Sequence, residues 1–131
     1  MKYLTVKDVI LLHNLAIDNF GGSHGLRDLG LLESAVMRPQ ASFGGQDLYK
    51  TIFLKTAVLL HSLLLNHVFV DGNKRTAMFS AMTFLELNGY TFNAPQKEVV
   101  RVALWIENQK PSLEEIGGWL KKYAKKIKHG R

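Results

Sequence analysis

Apolar residues recur along this chain at intervals of three and four positions, which is the spacing of an α-helix. A first helix is predicted to begin after Thr5 and to end near Asn19. Thr5 followed by Asp8 resembles a capping box, with Asp in place of the usual Glu. Gly21 and Gly22 follow, and glycine is typical of the position after a helix end. The helix is amphipathic, with apolar positions at Val6, Val9, Ile10, Leu12 and Ile17.

The same pattern predicts five further helices. Their ranges are 29–37 after the cap Asp28, 48–66 opened by Asp47, 73–87, 96–107, and a last helix opened by a Ser112–Glu115 capping box. Residues 90–92 form the one strand-like piece, and it is very short. The helix at 48–66 is apolar almost all round, which indicates a central position. We therefore predict an all-α, compact helical bundle in which two central helices are joined by the loop at 67–72.

Length and composition indicate one globular domain over residues 1–131. The hydrophobic content of 47% is too high for a disordered chain of 131 residues. The chain has no cysteine, which excludes disulfides, a thiol nucleophile and a zinc–thiolate site. No secretory signal opens it, and its most apolar run, 52–65, is too short and too polar to cross a bilayer. We therefore expect a cytoplasmic protein without a membrane segment.

Positive charge is concentrated at the C-terminal end. Residues 121–131 carry six of the 17 lysines and arginines and none of the 11 acids, so the rest of the chain is neutral and this segment carries the net charge of +6. Such a basic end can contact nucleic acid or an acidic partner. We expect instead a solvated basic helix end, where lysines also suit the helix dipole, and no direct binding of nucleic acid.

The loop between the two central helices carries the main candidate chemistry, and it reads HVFVDGNKR over 67–75. Gly72 lacks a side chain where a ligand approaches the backbone, and Asn73, Lys74 and Arg75 occupy the first turn of the next helix. Free amides and the positive end of the helix dipole make such a turn an anion site. Because cations there oppose the dipole, phosphate binding explains Lys74 and Arg75 better than helix stability does.

Two further residues of the motif suit a reaction on a bound phosphate. His67 is the motif's one histidine, the side chain that most often serves as a general base, and it is predicted to take the proton from an incoming hydroxyl. Asp71 is a hard oxygen ligand that can bind Mg²⁺ together with phosphate oxygens, or alternatively a helix N-cap. Phe69 is predicted to point into the core and hold the loop between the helices. Asn73 either orients the loop or touches phosphate.

The motif resembles the signature of the Fic superfamily, whose members move phosphate-containing groups from nucleotides to protein hydroxyls. Lys74 resembles the Doc (death-on-curing) branch, whereas the nucleotidylating branch has glycine there, in HPFxxGNGRxxR. Val68 replaces the proline of that longer pattern, and Met78 replaces its last arginine. The stretches 21–28 and 31–39 also resemble the N-terminal part of Doc-like proteins, so the resemblance covers nearly the whole chain.

The resemblance implies a role for each residue of the site. His67 would be the general base, Asp71 the Mg²⁺ ligand, and residues 72–75 the phosphate-handling group for ATP. It implies a Doc-like toxin that moves the terminal phosphate of ATP to a threonine or serine of a translation elongation factor. A separate antitoxin would inhibit it in trans, since no S/T-x-x-x-E-G/N string of an inhibitory helix is present. Gly72 departs from the alanine that Doc favours, so AMP transfer is the alternative reaction.

Other residues are weaker candidates. His61 lies on an apolar helix and is expected to be a hydrogen-bonded core residue, whereas His13 and His24 have no partner visible in the sequence. Because no histidine pair has metal-ligand spacing on one helix, a zinc site is not expected. Arg27 and Arg38 either reach the site or lie on the surface.

Two alternatives remain open at this point. Gly44 and Gly45 are either a flap that aligns a target peptide by backbone pairing or an ordinary turn. The basic tail at 121–131 leaves a non-catalytic helical binding module as the alternative from a different functional class.

Overall fold

Six α-helices make up most of the described chain. The computed structural model describes residues 1–128, and its helices are α1 (Val6–Phe20), α2 (Leu29–Met37), α3 (Ile52–Leu65), α4 (Asn73–Leu87), α5 (Gln96–Gln109) and α6 (Leu113–Tyr123). Short strands form two antiparallel pairs, β1 (Ser42–Phe43) with β2 (Gln46–Asp47) and β3 (Tyr90–Phe92) with β4 (Ala124–Lys126). A 3₁₀ turn, Arg38–Gln40, follows α2. The predicted all-α class is confirmed.

The centre of the bundle is formed by α3 and α4. α3 is buried almost all round, as predicted, and it packs along α4 and α6, while α1 packs against α4. Gly117 lets α6 approach closely, because a β-carbon there would lie 3.4 Å from the Phe53 carbonyl oxygen of α3. Of the two adjacent glycines, Gly117 is therefore the one that faces α3, whereas Gly118 has open space around it. Among the described residues, no helix combines the length and apolar character needed to cross a membrane.

Side-chain caps confirm three of the predicted helix starts. Thr5 and Ser112 each form a capping box with the acid three residues later. The Asp28 carboxylate accepts a hydrogen bond from the Leu31 amide at the start of α2. Each cap satisfies a first-turn amide that would otherwise lack an intrahelical partner, which is why these starts can be read from local sequence.

The predicted start of α3 directly after Asp47 is wrong. The helix begins at Ile52, after Thr51, whose hydroxyl oxygen accepts from the Leu54 amide. Asp47 instead ends β2, and its carboxylate accepts from the Lys55 ammonium at 3.1 Å. Lys55 is 2% exposed and needs a partner for its buried charge. Asp47 therefore serves as the partner of the Lys55 ammonium, and the cap of α3 comes from Thr51, directly before the helix.

The basic C-terminal segment is not a helix end throughout, so that prediction is corrected. α6 stops at Tyr123, and residues 124–126 form β4 against β3. The Phe92 ring of β3 lies 5.4 Å from the Trp119 ring, which seats β3 beside the end of α6. The chain leaving α6 therefore finds β3 as its hydrogen-bond partner. The rest of the predicted basic tail, residues 129–131, lies outside the described residues.

A carboxylate on α5 joins this helix to α6. Glu98 accepts hydrogen bonds from Arg101 Nε at 2.8 Å, from Trp119 Nε1 at 3.2 Å and from the Tyr123 hydroxyl at 3.4 Å. These bonds, that of Arg101 foremost, hold the pKa of the Glu98 carboxyl at about 2, below its ordinary value. The carboxylate therefore stays charged at neutral pH and ties α6 to α5.

Candidate functional site

The loop between α3 and α4 is supported by backbone pairing with residues 25–28. The Val68 carbonyl accepts from two amides of this segment, at 2.8 and 3.1 Å, and the Gly25 carbonyl accepts from the Val70 amide at 2.9 Å. A β-carbon at Gly25 would lie 2.9 Å from the Val70 side chain, so only glycine permits this approach. The early glycine-rich stretch is therefore the support of the motif loop.

Arg27 also reaches this loop. Its guanidinium donates from Nε to the His67 carbonyl at 2.6 Å and from Nη2 to the Asn66 carbonyl at 3.1 Å. His67 has a left-handed backbone with φ +48°, and its side chain is exposed. Arg38, in contrast, donates to two hydroxyl groups outside the motif. Arg27 therefore fixes the backbone that presents His67.

Phe69 and Asn73 hold the loop from inside. Phe69 is buried, as predicted. The Asn73 side chain bonds to the Phe69 backbone twice: Oδ1 accepts from the amide at 3.0 Å, and Nδ2 donates to the carbonyl at 2.9 Å. Of the two roles predicted for Asn73, this geometry favours orienting the loop over touching phosphate, because each polar atom already has a partner.

The N-terminus of α4 presents free amides. Its N-cap, Gly72, has φ +73°, and no described side chain caps the helix. The amides of residues 73–75 therefore have no acceptor within the helix. A β-carbon at Gly72 would lie 2.9 Å from the Ile17 side chain of α1. The left-handed backbone thus favours glycine here, and Ile17 occupies the space that a side chain would need, while the predicted role of Gly72 in ligand approach stays a prediction.

The Asp71 carboxylate is exposed beside this helix start. Oδ1 accepts from the Gly72 amide at 2.8 Å, and Oδ2 accepts from the Ser23 amide at 3.0 Å. Gly22 leaves room for the carboxylate, since a β-carbon there would meet Oδ2 at 2.8 Å. Neither bond goes to the first turn of α4, so the alternative role of Asp71 as helix N-cap is wrong.

The donor set around Asp71 fits Mg²⁺ together with a bound phosphate. Asp71 is the one carboxylate among the described residues that line the adjoining cavity. The described chain contains no group of three or more His, Cys, Asp and Glu side chains arranged for a metal. Because each Asp71 oxygen keeps a lone pair beside its backbone bond, it can still bind a cation. Mg²⁺ commonly takes one or two carboxylates and completes its shell with phosphate oxygens and water.

The two cations of the motif are each held by a residue from another helix. Lys74 Nζ lies 3.2 Å from Glu107 Oε1 on α5. The Arg75 guanidinium lies over the Phe20 ring at the end of α1, with 4.3 Å from Cζ to the ring centroid. No motif marks Glu107 or Phe20 in the sequence, because both contacts depend on how the helices pack.

A cavity of about 790 Å³ opens beside these groups. All six predicted site residues line it: His67, Asp71, Gly72, Asn73, Lys74 and Arg75. The remaining walls are mainly apolar and come largely from α4 and α5, including Phe79, Met82, Val99, Val100, Ala103 and Leu104. Small-molecule sites commonly measure roughly 300–1,000 Å³, so the cavity has the size and the mixed walls expected of one.

His13 on α1 belongs to this site and was missed by the sequence prediction. It is 1% exposed, stacks on Phe69 with ring centroids 3.8 Å apart, and places Nε2 at 2.7 Å from the Asp71 carbonyl oxygen. The sequence did indicate that His13 is buried, because position 13 shares the buried face of α1 with Val9 and Ile17. A buried polar side chain needs a hydrogen-bond partner. That partner lies 58 residues further along the chain, where no local pattern points.

Neither His61 nor His24 lines the cavity. His61, predicted to be a hydrogen-bonded core residue, is half-buried, and its Nδ1 has no partner among the described residues. Burial, and secondly the charge of Arg38, lower the pKa of His61 below its ordinary value. His24 bonds to the side chains of Asn14 and Asp18 on α1.

Comparisons with known proteins point the same way as this geometry. The Fic/DOC family matches residues 3–85, which include the whole motif loop. A protein of Mycolicibacterium smegmatis named Toxin Doc is 50% identical over 88 residues, which cover 67% of this chain and 65% of that protein. A protein of Escherichia phage P1 named Protein kinase doc is 34% identical over 97 residues, which cover 73% of this chain and 76% of that protein. The present chain therefore belongs to the Fic/Doc family.

Proposed function

We propose that this protein is a Doc-like toxin that transfers the terminal phosphate of ATP to a serine or threonine hydroxyl of a target protein. The observation that carries the proposal is that a single cavity is lined by His67, Asp71, Lys74 and Arg75. A base, a metal-binding carboxylate and cations beside free helix amides are the groups that phosphoryl transfer uses. The names of the two relatives, a toxin and a protein kinase, support the same function.

His67 would remove the proton from the target hydroxyl in this reaction. The hydroxyl oxygen forms a bond to the γ-phosphorus, the bond between that phosphorus and the β–γ bridging oxygen breaks, and ADP leaves. His67 suits the task because its side chain is exposed at the cavity and Arg27 holds its backbone carbonyl. A positioned base typically contributes about 10²–10⁴-fold to such a step.

The triphosphate would lie at the N-terminus of α4. The first-turn amides, Lys74 and Arg75 would bind its oxygens, and the apolar walls from α4 and α5 would receive the base. Mg²⁺, held by Asp71 and the phosphates, would neutralise the charge that develops during transfer. Phe20 would keep the Arg75 guanidinium at the cavity rim.

Lys74 favours phosphate transfer over AMP transfer. The nucleotidylating branch that this motif resembles has glycine at that position. The Lys74 side chain instead extends from the first turn of α4 toward Glu107, with 3.2 Å between the charged atoms. A charged side chain there occupies space beside the phosphates, so the nucleotide would bind in a different position. The name of the phage relative, a protein kinase, supports this choice.

The β1–β2 hairpin is the proposed docking element for the protein target. Gly44 and Gly45 form its turn with φ of +60° and +79°, and Phe43 is 85% exposed. An extended peptide can pair with such an exposed edge. Lys55 anchors the hairpin through Asp47. We propose a translation elongation factor as the target, which the family resemblance implies, and an antitoxin protein as the inhibitor in trans, since one of the two relatives is named a toxin.

Paired labelling of ATP tests the proposed reaction. The purified protein, Mg²⁺ and a cell lysate are incubated with ATP labelled on either the γ- or the α-phosphate. The γ-label is expected to appear on a target protein and the α-label is not, because ADP leaves with the α-phosphate. Transfer of the α-label instead would establish AMP transfer. No transfer of either label, with partner binding lost on replacement of the exposed Lys125, Lys126 and Lys128 by glutamine, would favour the non-catalytic binding module.

Replacing Glu107 by glutamine is expected to strengthen ATP binding by a factor of about two to five, the range for an exposed ion pair. The Glu107 carboxylate offsets the charge of Lys74, and a neutral amide would leave that charge to the phosphate. The measurement is the KM for ATP in the transfer assay. In a Lys74→Met background the same substitution is expected to leave the KM unchanged. An increase in KM for Glu107→Gln alone would contradict this competition.

A further inference from the structure

His13 is linked to the Asp71 carboxylate through a single peptide unit. Its Nε2 lies 2.7 Å from the Asp71 carbonyl oxygen, at one end of the 71–72 peptide. The Gly72 amide at the other end donates to Asp71 Oδ1 at 2.8 Å. Because a carbonyl oxygen only accepts, the Nε2 atom of His13 carries the hydrogen. Rotation of this peptide plane would break both bonds together, so the carboxylate orientation is coupled to His13.

The surroundings of His13 fix the direction of its N–H. The ring is 1% exposed and lies parallel to Phe69, with an interplanar angle of 4° and 3.8 Å between centroids. Ile17, one helical turn further along α1, fills the space against Gly72. Loss of the donor would leave the Asp71 carbonyl without this partner.

The segment directly after α1 holds the second carboxylate oxygen. The Ser23 amide donates to Asp71 Oδ2 at 3.0 Å, and Gly22 packs against the same atom. α1 and residues 22–23 thus hold Asp71 at two points, because His13 bonds to its carbonyl and the Ser23 amide bonds to its carboxylate. Turning the carboxylate away from this position would break at least one of its two hydrogen bonds with backbone amides.

We propose that His13 is a positioning residue that sets the orientation of the Asp71 carboxylate, and with it the phosphate-binding turn, through the 71–72 peptide. The role rests on the proposed function of that turn in binding phosphate and metal. His13 acts through its N–H bond to the Asp71 carbonyl and does not contact the substrate. The competing explanation is that its ring only fills space beside Phe69.

Two substitutions separate the hydrogen bond from the packing. His13→Phe keeps an aromatic ring against Phe69 but has no donor, whereas His13→Gln keeps an N–H donor but has no ring. In His13→Phe, the amide proton resonances of Gly72 and Ser23 are expected to move toward those of unbonded amides. Affinity for Mg²⁺-pyrophosphate, measured by calorimetry, is expected to fall about tenfold. In His13→Gln both quantities are expected to stay close to wild type.

His24→Phe is the matched control, because it makes the same change in a neighbouring exposed histidine that bonds to Asn14 and Asp18. It is expected to leave the Gly72 resonance and the affinity unchanged, and the Ser23 resonance is not compared in this variant because Ser23 adjoins the substituted residue. A folded His13→Phe with both readouts unchanged would overturn the proposal, and so would equal losses in the two His13 variants. If His13→Phe fails to fold, His13→Gln decides: near-wild-type readouts support the hydrogen-bond role, and their loss overturns it.

The two proposals fail in different ways. If the wild-type protein does not bind Mg²⁺-pyrophosphate, the proposed phosphate-binding function is contradicted. The Gly72 and Ser23 resonances still decide the role of His13 in that case, because they report the two bonds to Asp71 without any ligand.

Discussion

Replacing His67 by alanine is expected to reduce the rate of phosphate transfer by about 10²–10⁴-fold. The His67 side chain is exposed at the cavity, so its removal takes away the proton acceptor without leaving a hole in the core. The loop keeps its place because Arg27 bonds to the backbone carbonyl of residue 67, which alanine retains. The measurement is the initial rate of label transfer at saturating Mg²⁺, with the melting temperature recorded on the same samples.

His24→Ala is the matched control for this experiment. His24 is an exposed histidine whose ring bonds to Asn14 and Asp18, and it does not line the cavity. Its removal is expected to leave the transfer rate unchanged. Transfer by a folded His67→Ala protein at the wild-type rate would show that another group accepts the proton.

Replacing Asp71 by asparagine is expected to raise the Mg²⁺ concentration needed for half-maximal transfer by about 10- to 100-fold or more. Removing groups that merely support a metal ligand already weakens metal binding by about that much. Both Asp71 oxygens accept backbone amides, from Gly72 and Ser23. An asparagine side chain has one acceptor oxygen, so it loses the negative charge and one of these bonds. The measurement is the Mg²⁺ concentration that gives half-maximal transfer, at fixed ATP.

Asp18→Asn provides the comparison for this loss of charge. Asp18 is an exposed aspartate on α1 that lies 2.8 Å from His24 and does not line the cavity. Its substitution is expected to leave the Mg²⁺ dependence unchanged. If Asp71→Asn lowers the maximal rate but keeps the wild-type Mg²⁺ midpoint, Asp71 serves the loop conformation and does not bind the metal.

Local sequence patterns predicted the features whose partners lie within one helical turn. The bounds of α4 agree with the predicted range 73–87, and the capping boxes at Thr5 and Ser112 form as expected. A cap and the amide it satisfies are only three residues apart, so propensity and spacing are sufficient to identify them. The motif at 67–75 belongs to the same class, because its chemistry lies in adjacent residues.

Two of the errors in the predicted elements have a shared cause. Asp47 has a side chain typical of a helix cap, yet its carboxylate accepts a hydrogen bond from the buried ammonium of Lys55. Residues 124–126 continue a lysine-rich helix in sequence, yet they pair with β3, which begins at Tyr90. In both cases a contact from another element outweighed the local preference, and tertiary contacts commonly override propensity.

Sequence alone determined the helical class, the family resemblance and the set of six residues that face one cavity. Only the packed structure decided what holds those residues: His13 lies 58 positions from Asp71, Ser23 lies 48 from Asp71, and Arg27 lies 40 from His67. Which residues become partners depends on how α1 packs against α4. A periodic pattern indicates which face of a helix is buried, but not which residues that face contacts. The chemistry of the site is therefore local in the chain, whereas its alignment depends on α1 and the glycine-rich segment after it.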